Sequence, residues 1–236
     1  MSEHIPYIVV INGEKDTGRK TVCLELALVL LYNRQKTAVL LNEDSSLRQT
    51  FNNRRQKFPT LPQPDILERN SFPLAAAPYD AVIIPEISAT DELADNAATF
   101  ITLLRHSRSG IKKFQQNKAY LNEVWELKKR IAATRGHSLN WVVCENNPDS
   151  SLPLRQSAEL AQMSRLYGFR AAPPLNFRHP YQNAVSGISA QDKALSPEFF
   201  PELAKQLTYE DICAKREILK PVSYTHLRAH ETGAYL

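Results

Sequence analysis

The residues best placed for chemistry lie near the start of the chain, in Asn12-Gly13-Glu14-Lys15-Asp16-Thr17-Gly18-Arg19-Lys20-Thr21. Gly13 and Gly18 stand five apart, as in a loop whose successive backbone amides turn inward around a phosphate. Such a loop also needs a lysine for the outer phosphates and a Ser or Thr hydroxyl for magnesium. Here Arg19 follows the second glycine directly, and Lys20 and Thr21 each come one place late. The spacing predicts a phosphate site built from Gly13, Lys15, Gly18, Arg19, Lys20 and Thr21, or else an ordinary loop with two glycines.

The flanking segments are those that would position such a loop. Residues 7–11, YIVVI, are an apolar β-branched run that reads as a strand buried on both faces. Residues 21–32 lack helix breakers and read as a mostly buried helix, and residues 37–41 as a second strand. A strand-loop-helix-strand unit of this length implies a parallel pair with a right-handed crossover. Residues 80–84 read as a third strand, stopped by Pro85, and residues 139–144 as a later one. Residues 98–104 fit strand or helix, and residues 169–172 a last strand before Pro173-Pro174. Helices are expected over 114–134, with Tyr120, Val124, Leu127 and Ile131 on one face, over 154–167, and within 201–219. Residues 58–78 carry five of the fifteen prolines and read as an irregular excursion or a short helix flanked by loops. The alternation predicts a single α/β domain over residues 1–220. Its sheet is doubly wound and mostly parallel, with helices on both faces and ligands at the carboxyl edge.

Composition narrows the class further. The 236 residues are 43% hydrophobic and 23% charged, which excludes a collagen-like, low-complexity or wholly disordered chain. A net charge of +4 permits an anionic partner without requiring one. Cys23, Cys144 and Cys213 form no CxxC, so neither a disulfide framework nor a zinc cluster is suggested; Cys23 and Cys144 read as core thiols. The opening residues do not read as a secretory signal, and the longest apolar stretch, 22–31, is short and contains Glu25, so a cytoplasmic location is expected. His106 and His137 have no Ser, Cys or acidic partner at a recognised spacing and read as structural, while Trp125 and Trp141 fit core faces. Residues 222–232, VSYTHLRAHET, resemble the in-frame translation of a transposase mosaic-end sequencing adapter. Residues 221–236 are therefore expected to be a non-native tail, and the spacing of His226 and His230 is given no weight as a metal site.

The run YIVVINGEKDTGRKTVCLELALVLLYNRQKTAVLLNEDSSLRQTF resembles the opening of the ParA/MinD class of deviant phosphate-loop ATPases, most closely its MipZ-like, division-plane-positioning members. The resemblance continues through FNNRRQKF, YDAVIIPE, YLNEVWELKKRIAATRGHSLNWVVCENN and RLYGFRAAPPL, over most of residues 7–215. It implies the phosphate-loop NTPase fold, ATP and magnesium as cofactors, and a switch between monomer and sandwich homodimer. A role in cell division or chromosome positioning is implied too, with a ParB-like partner, a division protein and nonspecific DNA as partners.

Carried over residue by residue, the resemblance puts Glu14 at the signature lysine, which in the family reaches the partner's nucleotide. Lys15 and Asp16 replace two glycines, Gly18 is kept, Arg19 takes the phosphate-binding lysine position, Lys20 the magnesium-binding hydroxyl position, and Thr21 is retained. Shifting the register by one restores Lys15 and Lys20-Thr21 at the cost of an insertion. Asn42-Glu43-Asp44 stands for Asp-x-Asp, Pro85-Glu86-Ile87-Ser88 for Asp-Thr-Pro-Gly, with Glu86 one residue off the expected magnesium-side Asp, and Asn146-Asn147 for the adenine-reading Asn-Arg pair. The resemblance thus implies Thr21 and Asp44 at magnesium and Asn146 at adenine. Lys128, Lys129, Arg130 and Arg135 would contact DNA, unless they form a solvated helix face. Asn42 cannot act as a carboxylate base and Pro85 has no carboxylate, so no catalytic residue is assigned. Two functions follow: an ATP-binding positioning regulator with a degenerate site, or a pseudo-ATPase module that neither binds nor hydrolyses nucleotide. A divergent member of another phosphate-loop class is a third.

Overall fold

Side-chain alternation along the strands builds two cores. A computed structural model describes residues 6–72, 74–147, 158–176, 192 and 215–219. In β1 (Tyr7–Gly13), Val9 and Ile11 face one side of the sheet and Ile8 and Val10 the other, all buried. β2 (Thr37–Leu41) and β4 (Ala81–Pro85) divide in the same way, and every residue of both is buried. The strands run in the order β3-β2-β4-β1-β5-β6-β7 and every pairing is parallel. Here β3 is Asp65–Glu68, β5 Thr99–Arg105, β6 Asn140–Asn147 and β7 Arg170–Ala171; β8, Leu175–Asn176, pairs with the end of β6. The expected doubly wound α/β sheet is present.

Helix α1 (Arg19–Tyr32) covers one face, with Val22 to Leu30 buried without interruption, and α2 (Ser46–Lys57) adds Leu47 and Phe51 to the same core. On the opposite face, α4 (Lys118–Arg135) seats Leu121, Val124, Leu127 and Ile131; the last three were expected from their spacing, but Leu121 is buried where Tyr120 was read, and Tyr120 is only half-buried at the margin. α3 (Arg108–Gln116) and α5 (Ala158–Tyr167) complete that layer. No helix among the described residues is long and apolar enough to cross a membrane.

Several expectations are corrected. The single helix over 114–134 is two helices, because the Asn117 side chain accepts from the Tyr120 amide and so caps α4. The stretch 58–78 contains two short 3-10 turns, Arg69–Ser71 and Leu74–Ala76, as one of its readings allowed, but also the unexpected strand β3, and α2 lies where no helix was read. Residues 98–104, ambiguous in sequence, are strand. Trp125 is not in the core: it is 42% exposed, whereas Trp141 is buried and donates to the Thr102 hydroxyl. Two buried ion pairs join distant parts of the chain. Lys215 meets Glu25 of α1 at 2.7 Å, and Arg54 of α2 makes a two-pronged pair with Asp192, which also accepts from the Tyr32 hydroxyl. The expected tail at 221–236, with His226 and His230, and also Cys213, lie outside the described residues.

Candidate functional site

Parallel strands bring the β1–α1 loop, the β2–α2 connection, the segment after β4 and the end of β6 to one carboxyl edge. This edge gathers most of the expected site residues. Gly13 ends β1, where a Cβ would lie 2.7 Å from the Leu103 carbonyl and 2.8 Å from the Thr17 hydroxyl, so only glycine fits. Glu14, Lys15 and Asp16 form an exposed turn, closed by the buried Thr17, whose hydroxyl donates to the Glu14 carbonyl at 2.8 Å. Asp16 takes φ 65°, a left-handed conformation that favours glycine and is tolerated by Asp better than by most residues. Gly18, at φ 80°, begins α1 without a capping side chain.

Asn146, expected to read adenine, instead latches this loop. Its side-chain amide donates to the Thr17 carbonyl at 2.8 Å and lies over Gly18, where a Cβ would collide with it. Of the expected phosphate cations, Arg19 approaches the Glu86 carboxylate at 3.9 Å, Lys20 donates to the Ser46 hydroxyl at the start of α2, and Lys15 is exposed on the turn. Thr21 is half-buried in the first turn of α1, and Asp44 is exposed beyond β2. Among the described residues no group of three His, Cys, Asp or Glu side chains could hold a metal ion.

Glu86 stands one residue beyond the position at which the resemblance expects the magnesium-side Asp. It follows Pro85, its amide donates to the Ile11 carbonyl, and it takes φ 64°. Asn12 ties the next residue by donating to the Ile87 carbonyl. Two observations bring the Glu86 carboxylate to α1: the approach to Arg19, and its electrostatic effect on Cys23, whose thiol is pushed up by burial first and by Glu86 second. Its adjacency to Pro85 was the available signal.

A cleft of about 710 Å³ opens at the same edge on the β2–β3 side, lined by Asn42, Glu43, Glu68, Arg69, Asp91 and Glu92. Arg69 is paired with Asp91 at 2.5 Å, and Glu68 is held by Arg48 at 2.8 Å. Two of the four lining carboxylates are thus paired with arginines, and Glu43 and Glu92 complete an acidic lining. The loop cations are turned to partners in the chain or to solvent, and the exposed Glu14 and Asp16 add negative charge beside them.

Away from this edge, the four expected DNA-contacting cations have partners within the chain. Arg130 binds Asp95 at 2.8 Å and the Ala89 carbonyl, Arg135 the Asn96 side chain, and Lys129 Glu126 at 2.6 Å. Lys128 donates to the Gly168 carbonyl at 2.7 Å above the Trp125 ring, and burial pushes its ammonium below the ordinary lysine value. His106 does have an acidic partner: its Nδ1 lies 3.1 Å from the buried Glu145, a pairing that their separation of 39 residues hid.

No protein-family model matches the sequence, and no curated protein matches it. Solved structures do. Apo McdA of Cyanothece is similar with a TM-score of 0.57 at 18% identity, covering 91% of this chain and 99% of that one. McdA of Cyanothece in an ATP complex gives 0.57 at 15% identity, covering 94% and 100%. The septum site-determining protein MinD of Pyrococcus horikoshii, complexed with Mg-ADP, gives 0.53 at 10% identity, covering 98% and 100%. At these identities the likeness defines a fold: the chain has the ParA/MinD-type phosphate-loop NTPase architecture.

Proposed function

We propose that this chain is a ParA/MinD-like regulator of cell division or chromosome positioning that works without nucleotide, a pseudo-ATPase binding module on a phosphate-loop fold. The carrying observation is the Asn146 latch: the amide assigned to adenine is engaged on the Thr17 carbonyl, over Gly18. A loop held to β6 in this way acts as a joint of the fold. The positioning role is supported by the sequence resemblance to MipZ-like ATPases and by the architecture shared with McdA and MinD. A homodimer, a ParB-like partner and a division protein are the partners that this role implies, in the cytoplasm. DNA binding through α4 finds no support in its engaged cations. Calorimetric titration with Mg-ATP and Mg-ADP tests the reading. The expected result is no saturable heat at millimolar nucleotide, and saturable binding in the micromolar range would overturn it.

A further inference from the structure

The layer opposite α1 carries charge that the chain does not neutralise. From Arg105 to Asn122 the sequence holds five Arg or Lys residues and no Asp or Glu. All five are exposed, and among the described residues none is paired with a carboxylate, whereas further along α4 Lys129 and Arg130 pair with Glu126 and Asp95. Arg108, Lys112 and Lys113 lie on α3, and Lys118 opens α4 directly after the capping Asn117. By helical spacing Lys118, Trp125 and Lys128 fall on one side of α4, the side that meets the end of α5. There Lys118 Nζ lies 5.5 Å from the centre of the Tyr167 ring and donates to its hydroxyl, and Lys128 Nζ lies 5.4 Å from the centre of the Trp125 ring. A Cβ on Gly168 would stand 3.1 Å from Lys128 Nζ and 3.9 Å from the Trp125 ring, so α5 ends directly against this pair. Trp125 and Leu166, at 42% and 72%, are the large apolar side chains left exposed among the described residues.

We propose that this junction of α3, α4 and α5 is a docking surface for an acidic segment of a partner protein, which sets Asp or Glu side chains against Lys118 and Lys128 and apolar side chains against Trp125 and Leu166. The charge on the surface selects the sign of the partner. Ring faces, the Tyr167 hydroxyl and the Gly168 carbonyl satisfy the two ammonium groups without cancelling their charge. Burial already pushes the Lys128 ammonium below the ordinary lysine value, so a carboxylate placed beside it recovers part of what desolvation costs. The exposed tryptophan supplies the kind of anchor around which protein interfaces concentrate their binding energy, and the lysines of α3 add longer-range attraction. A protein segment fits better than duplex DNA, because contacts to a phosphate backbone use cations and hydrogen-bond donors and leave an exposed tryptophan and leucine idle. The surface lies across the sheet from α1, so it stands whether or not the phosphate loop takes nucleotide.

The probe is a fluorescein-labelled peptide of repeating Asp-Glu-Leu-Phe, titrated with the whole chain at physiological salt and read by anisotropy. Two control peptides replace its acids by Asn and Gln, or its Leu and Phe by Ser. Saturable binding of the first peptide alone is expected. Trp125→Ala should weaken it by roughly tenfold or more, and so should Lys118→Gln combined with Lys128→Gln. Leu166→Ser, at a largely solvated position, should also weaken it and covers the case in which the alanine variant fails to fold. Lys57→Gln, on α2 across the sheet, should change nothing. No binding of the first peptide, equal binding of either control, or folded variants that bind as the parent does would overturn the proposal. A DNA duplex that binds more tightly than the peptide, and is lost with the two lysines but not with Trp125→Ala, would overturn it in favour of a phosphate-binding surface. A dimer in sedimentation that Trp125→Ala dissolves would overturn it in favour of a second copy of this chain. Each of these failures leaves the nucleotide-free reading intact.

Discussion

Helix α1 takes part in two ion pairs of opposite character. Near its middle, Glu25 meets Lys215 at 2.7 Å with both side chains almost wholly buried. At its start, Arg19 meets Glu86 at 3.9 Å with side chains 24% and 30% exposed. The inner pair lies in low dielectric, where removing one partner strands a charge and costs about 3–5 kcal/mol. The outer pair is screened by water and contributes under about 1 kcal/mol to stability. One element thus carries a contact that the fold depends on and another that the fold could lose.

Breaking the inner pair should give the largest effect. Lys215→Met is expected to lower unfolding free energy by about 3–5 kcal/mol in urea denaturation, and Glu25→Leu added to it should restore most of the loss. Alkaline pH should act next. Burial pushes the Cys144 thiol from 9.0 up to about 12 and raises Cys23 too. The folded state then holds these protons while the unfolded chain releases them, so stability is full below pH 9 and falls as pH rises toward 12, by about 1.4 kcal/mol per pH unit for each thiol. Denaturation curves at pH 8 and pH 10 check this; equal midpoints would contradict the burial of both thiols. Asn146→Ala should cost about 1 kcal/mol for its hydrogen bond to Thr17. The same change should soften the penalty of Gly18→Ala, since it removes the atom that a Cβ would strike, although the strain of φ 80° remains. A double-mutant cycle with no coupling would dismiss the latch. Arg19→Ala should change stability least, by under about 1 kcal/mol in the same denaturation assay.

β1 and β4 were legible because each is built on an unbroken β-branched run, Val9-Val10-Ile11 and Val82-Ile83-Ile84, that favours burial on both faces, whereas the Leu-rich β5 also fitted a helix. β3 was hidden because Asp65 and Glu68 give it an edge-strand polarity and prolines surround it. α2 was hidden because only two apolar side chains, Leu47 and Phe51, are buried, and its third buried residue is the ion-paired Arg54. The loop glycines were legible by spacing, and the structure gives Gly13 and Gly18 steric reasons to be glycine. The partners of the loop were not legible. Asn146 on Thr17 spans 129 residues, His106 on Glu145 spans 39, and the left-handed turn that aims Glu86 at α1 is a backbone property with no residue signature at a glutamate. Trp125 fitted an apolar helix position, yet it lies outside the buried stripe and instead supports Lys128.

The central claim is that the phosphate loop is a closed joint, and the backbone amides of residues 13–21 report on it directly. Titrating isotope-labelled protein with Mg-ATP and following those amides by NMR should leave Gly18, Arg19, Lys20 and Thr21 unshifted up to millimolar nucleotide, with the Asn146 side-chain amide still bonded to Thr17. Saturable shifts of the four amides, accompanied by release of the Asn146 side chain, would contradict the account.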